Sequence, residues 1–174
     1  MGDWNWIWRV RAPHRIKTFL WLVLHSKVLS NAERFRRKLT QSPSCVICSA
    51  EVEDLDHLLR SCPNAIEAWQ GLQPQGVTGS TNNEGLYGWI QHNITRTHED
   101  PDWPTKFLVT MWYIWKWRCM HCFGTRGEVP REKDLFLLAK FREIITALNQ
   151  DEQIQGIHHM ERGEIRIRWE PPMD

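Results

Sequence analysis

The chain has 174 residues, 41% hydrophobic and 25% charged, a globular composition that excludes a disordered or fibrous protein. Lys and Arg number 22 against 21 Asp and Glu, a net charge of +1, so no global field draws a polyanion or a polycation. The longest wholly apolar run, Phe19 to Leu24, is far short of the roughly 20 residues that span a bilayer, and the first residues lack a signal peptide's basic start and apolar core, so the sequence predicts an intracellular, non-secreted protein, the nucleus included, with no membrane partner.

In chain order, Trp4, Trp6 and Trp8 alternate, which predicts an extended segment folded back over a core. Pro13 suits the first turn of a helix, and Ile16, Phe19, Leu20, Val23 and then Lys27 or Val28 follow at helical spacing. Ser30 and Glu33 read as a capping box that opens a second helix, with Phe35 and Leu39 on one face. Pro63 starts a short helix through Ala65, Ala68, Trp69 and Leu72. Residues 73–84 (QPQGVTGSTNNE) offer almost nothing to bury and read as a linker.

Beyond the linker, Leu86, Trp89, Ile90 and Ile94 suggest a short helix. Leu108, Met111, Trp112, Trp115, Cys119 and Cys122 form an amphipathic stripe, which makes Cys119 and Cys122 core side chains rather than a second metal site. Pro130 opens a last helix with Leu135, Leu138, Arg142, Ile145 and Leu148 at helical intervals. Glu164 to Trp169 alternates, the one strand-like segment, and Pro171-Pro172 ends it. The fold class predicted is therefore mainly α. It comprises a small metal-stabilised helical domain (1–72), the linker (73–84), a second helical region (85–150) and a tail with a short strand-like piece (151–174).

Chemistry concentrates at Cys45-x2-Cys48-x8-His57-x4-Cys62. Five cysteines in a non-secreted chain argue for metal ligation before disulfides. Three thiolates and an imidazole select zinc, and four protein donors leave no open position for water, so one structural zinc ion is predicted. Such a knuckle needs an apolar clamp, for which Leu55, Leu58, Leu59 and Trp69 on one side and Phe19 to Leu24 on the other are candidates.

Charge is uneven along the chain. Residues 1–44 carry a net +7 and the remainder −6. The basic side chains on the first two helices, Arg15, Lys17, Arg34, Arg36, Arg37 and Lys38, are candidate phosphate contacts, and exposed tryptophans could stack unpaired bases. Among the histidines outside the cluster, His25, His92 and the His158-His159 pair have no nucleophile or carboxylate at an informative spacing, so no enzyme is predicted.

Trp4-x3-Trp8-x4-Pro13-x-Arg15-Ile16-Lys17-x-Phe19-Leu20-Trp21, then Arg36-Arg37, Cys45-x2-Cys48, Glu53, His57-Leu58, Cys62 and Trp69, together resemble the reverse-transcriptase zinc-binding domain of plant LINE-type (non-LTR) retrotransposon polyproteins. Met111-Trp112-Tyr113-Ile114-Trp115-Lys116-Trp117-Arg118 is similar to the helix that follows it there, with Cys119 in place of an Asn. Arg168-Trp169-Glu170-Pro171-Pro172 is similar to the junction before the RNase H domain. The resemblance implies a non-catalytic zinc module of a retrotransposon-derived polyprotein that assists nucleic-acid binding. The alternative is a scaffold docking on neighbouring polymerase or RNase H domains. No Tyr-x-Asp-Asp polymerase motif and no ribonuclease-like set of four acidic residues is present, so the flanking enzymes are not implied.

Overall fold

The computed structural model describes residues 4–72, 85–95, 100–124 and 128–161, with side chains through Ile154. The elements run α1 (Asn5–Arg9), α2 (His14–Leu24), α3 (Asn31–Arg36), a π-turn (His57–Ser61), α4 (Pro63–Gln70), α5 (Leu86–Thr95), α6 (Trp103–Phe123) and α7 (Lys133–Glu161). No strand occurs among the described residues, and the strand-like stretch at 164–169 lies outside them. No described helix is long and apolar enough to cross a membrane.

The first helices are short and stopped by local chemistry. α2 buries Ile16, Phe19, Leu20 and Val23 at the expected spacing. It ends in a Schellman-type closure, with the Ser26 and Lys27 N–H groups donating to the Val23 and Leu22 carbonyls. Val28 turns inward, whereas Lys27 is exposed. The Ser30 hydroxyl accepts from the Glu33 N–H at 3.3 Å and caps α3. The reciprocal half of the box is replaced, because the Glu33 carboxylate turns to Arg36 and Arg37 instead. α3 closes after Arg36 with Lys38 left-handed (φ 59°), so Phe35 and Leu39 stay exposed rather than joining a core. The alternating tryptophans are helical and not extended. α1 places Trp4 and Trp8 four residues apart, on one side.

α6 organises the rest. Pro104 lies in its first turn and Gly124, left-handed at φ 57°, ends it after 21 residues. An amphipathic stripe is expected, yet Phe107, Leu108, Val109, Thr110, Met111, Tyr113, Ile114, Trp117 and Arg118 are all buried, while Trp112, Trp115, Cys119 and Cys122 are only half-buried. The reason is tertiary: α2, α4, α5, α7 and the π-turn all pack on α6, so no broad face is left for solvent. Aromatic rings fill the joints. Phe107 stacks on Trp69 at 5.1 Å and meets Trp89 edge-on at 4.8 Å, and Phe19 meets Trp112 at 5.3 Å.

α7 starts at Lys133 and runs to Glu161, past the expected boundary at residue 150. Its buried line is Leu137 and Ile144 with Phe136 and Leu148 against the core, while Leu135 is exposed. Apolar residues are spread round this helix, so contacts with α4 and α6 chose the buried side. The approach to α4 is close at Gly71, where a Cβ would collide with Asp134 Cβ. Beside it the Lys133 ammonium donates to the Glu67 carboxylate. One continuous apolar core thus joins α1 to α4 with α5 to α7.

Candidate metal centre

Each of the four donor-bearing residues is placed by a local device. At the first pair, the Cys45 N–H donates to the Ala50 carbonyl and the Ser49 N–H to the Cys45 carbonyl, both at 2.9 Å, with Ser49 left-handed at φ 60°. This tight turn lets Cys45 and Cys48 face the same point. The Asp54 carboxylate accepts from the His57 N–H at 2.7 Å and starts the next helical segment. Five residues on an α-helix would set His57 and Cys62 about 140° apart. The π-turn removes that mismatch: the Cys62 N–H donates to the His57 carbonyl at 2.7 Å, and the wider ring swings Cys62 back towards the imidazole. Cys62 then leaves with extended backbone, and Pro63 opens α4.

The donor atoms of Cys45, Cys48, His57 and Cys62 all lie within 4.8 Å of one another. The Cys62 sulfur is 4.0 Å from those of Cys45 and Cys48, and Cys48 Sγ is 3.3 Å from His57 Nε2. A tetrahedral zinc site with usual bond lengths needs about 3.8 Å between sulfurs and about 3.5 Å from sulfur to nitrogen. The donor set therefore fits. Backbone amides add independent support: those of Ile47 and Cys48 point at the Cys45 sulfur, that of Ala50 at Cys48 and that of Asn64 at Cys62. Amide N–H groups aimed at sulfur are the environment of a thiolate.

Without a cation the two buried thiols resist charge. Burial pushes the Cys45 thiol up to about 12 and raises Cys62, whereas at Cys48 the hydrogen bonds from Ala50, Cys45 and Cys62 outweigh burial and the net shift is downward. A divalent cation reverses that balance by binding the thiolates. Leu58, Leu59 and Trp69 are buried beneath the turn, and the Trp69 indole N–H donates to the Leu59 carbonyl at 2.8 Å. On the other side the turn packs on α6 and not chiefly on Phe19 to Leu24 as expected.

A buried polar network also ties this loop to α6. Glu53 and Arg118 are each 1% exposed. Glu53 Oε1 accepts from Arg118 Nη2 at 2.7 Å and from the Asn31 N–H at 2.8 Å. Asn31 Oδ1 accepts from the same guanidinium at 2.9 Å, and Asn31 Nδ2 donates to the Ser44 carbonyl at 2.7 Å. Sequence reasoning did not assign this network. The available signal was Arg118 lying one helical turn beyond Ile114 on an otherwise apolar helix.

The basic candidates are not gathered into one site. Arg36 and Arg37 are exposed and share Glu33 at 2.6 Å, while Lys38 follows them, exposed. Arg34 is half-buried, donating to Asn31 Oδ1 and lying over the Phe123 ring. On α2, Arg15 is exposed and lies near Glu143, and Lys17 donates to the Trp8 carbonyl at 2.9 Å. Cys119 and Cys122 carry free thiols that burial pushes up.

A family model described as zinc-binding in reverse transcriptase matches residues 1–69. A protein of Arabidopsis thaliana, named "putative ribonuclease H protein", is 40% identical over 122 residues, which cover 69% of this chain and 20% of that protein. The chain therefore spans about a fifth of that relative's length. No solved structure matches the chain. Three thiols and an imidazole thus converge, in an arrangement that could hold one zinc ion, inside the segment that is similar to the reverse-transcriptase zinc-binding family.

Proposed function

We propose that Cys45, Cys48, His57 and Cys62 bind one structural zinc ion, and that the chain is a non-catalytic module of a retrotransposon-type polyprotein that assists nucleic-acid binding. The observation that carries this reading is the closure of the donor set, with four protein atoms within 4.8 Å and every tetrahedral position accounted for. Such an ion shapes a scaffold and activates no water. Charge polarity supports the nucleic-acid role: the N-terminal 44 residues carry a net +7, and α3 presents Arg36, Arg37 and Lys38 to solvent. In this reading residues 1–72 are the zinc module, 73–84 a connection, 85–150 the helices that complete its core, and 151–174 a tail leading towards an RNase H domain.

The test is binding of nucleic acid across a salt series. If Arg34, Arg36, Arg37 and Lys38 neutralise four phosphates, log affinity falls against log salt with a slope of about −3.6 on duplex and about −2.8 on single strands. Absence of binding at low salt, or affinity indifferent to salt, overturns the nucleic-acid role. A second reading, docking on a polymerase or RNase H neighbour, draws on the exposed Phe35, Leu39 and Phe123. Capture of a separately produced RNase H domain, without affinity for nucleic acid, would favour it.

A further inference from the structure

We infer that α1, α2 and the start of α5 carry a second nucleic-acid surface, a strip of rings that stacks unpaired bases of a single strand. Residues His14, Thr18, Trp21 and His25 lie on one face of α2 and its C-cap, at helical spacing of 4, 3 and 4. Trp8 stacks on His14 with centroids 5.5 Å apart, and Trp21 stacks on His25 at 4.2 Å. Trp4 continues the row, 4.7 Å from His25 and edge-on to Tyr87 at 5.9 Å. These six rings form two groups along one helix edge. Trp8, Trp21 and Tyr87 are 42%, 36% and 46% exposed, so each presents ring surface to solvent although a place in the core beneath would bury it.

The occupant follows from charge and length. No Asp or Glu occurs from Trp4 to Ala32, a stretch that carries Arg9, Arg11, Arg15, Lys17 and Lys27. Arg9, Arg15 and Lys27 are exposed, while Arg11 is held by Glu152 and Asp102. Glu143 lies near Arg15, and beyond Tyr87 the groove beside Leu86 sets Glu33, Asp54 and Asp56 against a single cation, Arg36, which marks the end of the strip. A neutral apolar protein partner has no use for cations beside stacked rings, whereas a single strand pairs its phosphates with the cations and its bases with the rings. From His14 to His25 the helix rises about 16 Å, the length of four or five stacked nucleotides. Duplex buries its base faces and cannot use the strip. The inference rests on the nucleic-acid reading above and specifies what this separate surface takes.

Fluorescence anisotropy with the zinc-loaded full chain tests it, using oligothymidine, an abasic oligomer of equal length and a duplex. Wild type should bind oligothymidine more tightly than the abasic oligomer. Trp21→Ala and Tyr87→Ala should each weaken oligothymidine binding about tenfold, leave the abasic oligomer and zinc content unchanged, and Trp21→Phe should restore most of the loss. Equal affinity of wild type for the two single strands overturns the strip, as does indifference of oligothymidine binding to both alanine variants. If duplex and abasic oligomer still bind with the predicted salt slope, the broader reading survives that failure. If no nucleic acid binds at low salt, both fall.

Discussion

The N-terminal region and the helices that follow it reach order by different routes. α1 and α3 span 5 and 6 residues, too short to persist alone, and the segment between α3 and α4 holds its course through turns, caps and converging donors. α6 and α7 span 21 and 29 residues, and α6 is buried nearly all round by apolar contact. In the proposed reading the first region depends on an ion and on a neighbour, and the second supplies that neighbour. Short irregular segments acquire a unique shape where directional bonds converge, while long helices acquire it from area buried.

Removing the ion should break the comparison most visibly. Wild type purified without added zinc should contain one zinc per chain. Cys48→Ser should lose it and lose helical signal mainly from residues 1–72, while α6 and α7 persist, as read by metal analysis and circular dichroism. Structural zinc contributes about 10–16 kcal/mol in small domains, more than α1 to α4 can replace. Full helicity in a metal-free variant would show that the donors are incidental.

Next in size is the bond between the regions. Arg118→Met leaves the Glu53 carboxylate buried without its cation and should cost about 3–5 kcal/mol in urea unfolding. The double variant Glu53→Leu/Arg118→Met should recover much of that, because the stranded charge is gone. If the two single losses simply add in the double variant, the pair is not coupled.

A smaller effect belongs to the α4–α7 approach. Gly71→Ala should cost about 1–3 kcal/mol, since its Cβ would collide with Asp134, and Asp134→Gly in the same chain should relieve it. The smallest effect is electrostatic and confined to α3. Hydrogen bonds from Arg36 and Arg37 hold the Glu33 carboxyl down to about 2, from an ordinary value of 4.5. A depressed carboxylate stabilises the fold above its unfolded value, and that contribution disappears as pH falls from about 4.5 towards 2. The difference in unfolding midpoint between wild type and Glu33→Gln should shrink over that window and stay constant above it.

Much of the N-terminal site was legible because its information is local. The spacing of Cys45, Cys48, His57 and Cys62 picks out the four side chains that converge before any fold is known, and Ser30 and Pro63 mark helix starts through chemistry within a few residues. The amphipathic pattern found α2, α5 and α6 for the same reason. Legibility failed where pattern was even or misleading: alternating tryptophans hid the turn of α1, and evenly spread apolar residues hid which side of α7 faces inward.

What the amino-acid order determined by itself, then, is the donor set, the starts of α3 and α4 and the charge gradient, all of them features of residues close in the chain. The tertiary structure alone decided that α6 is buried nearly all round, that Glu53 meets Arg118 across 65 positions, that a π-turn reconciles His57 with Cys62, and that Trp4, Trp8, His14, Trp21, His25 and Tyr87 share one edge. These depend on which surfaces meet after the chain folds back, and helical periodicity reports only that a face exists, not what will cover it.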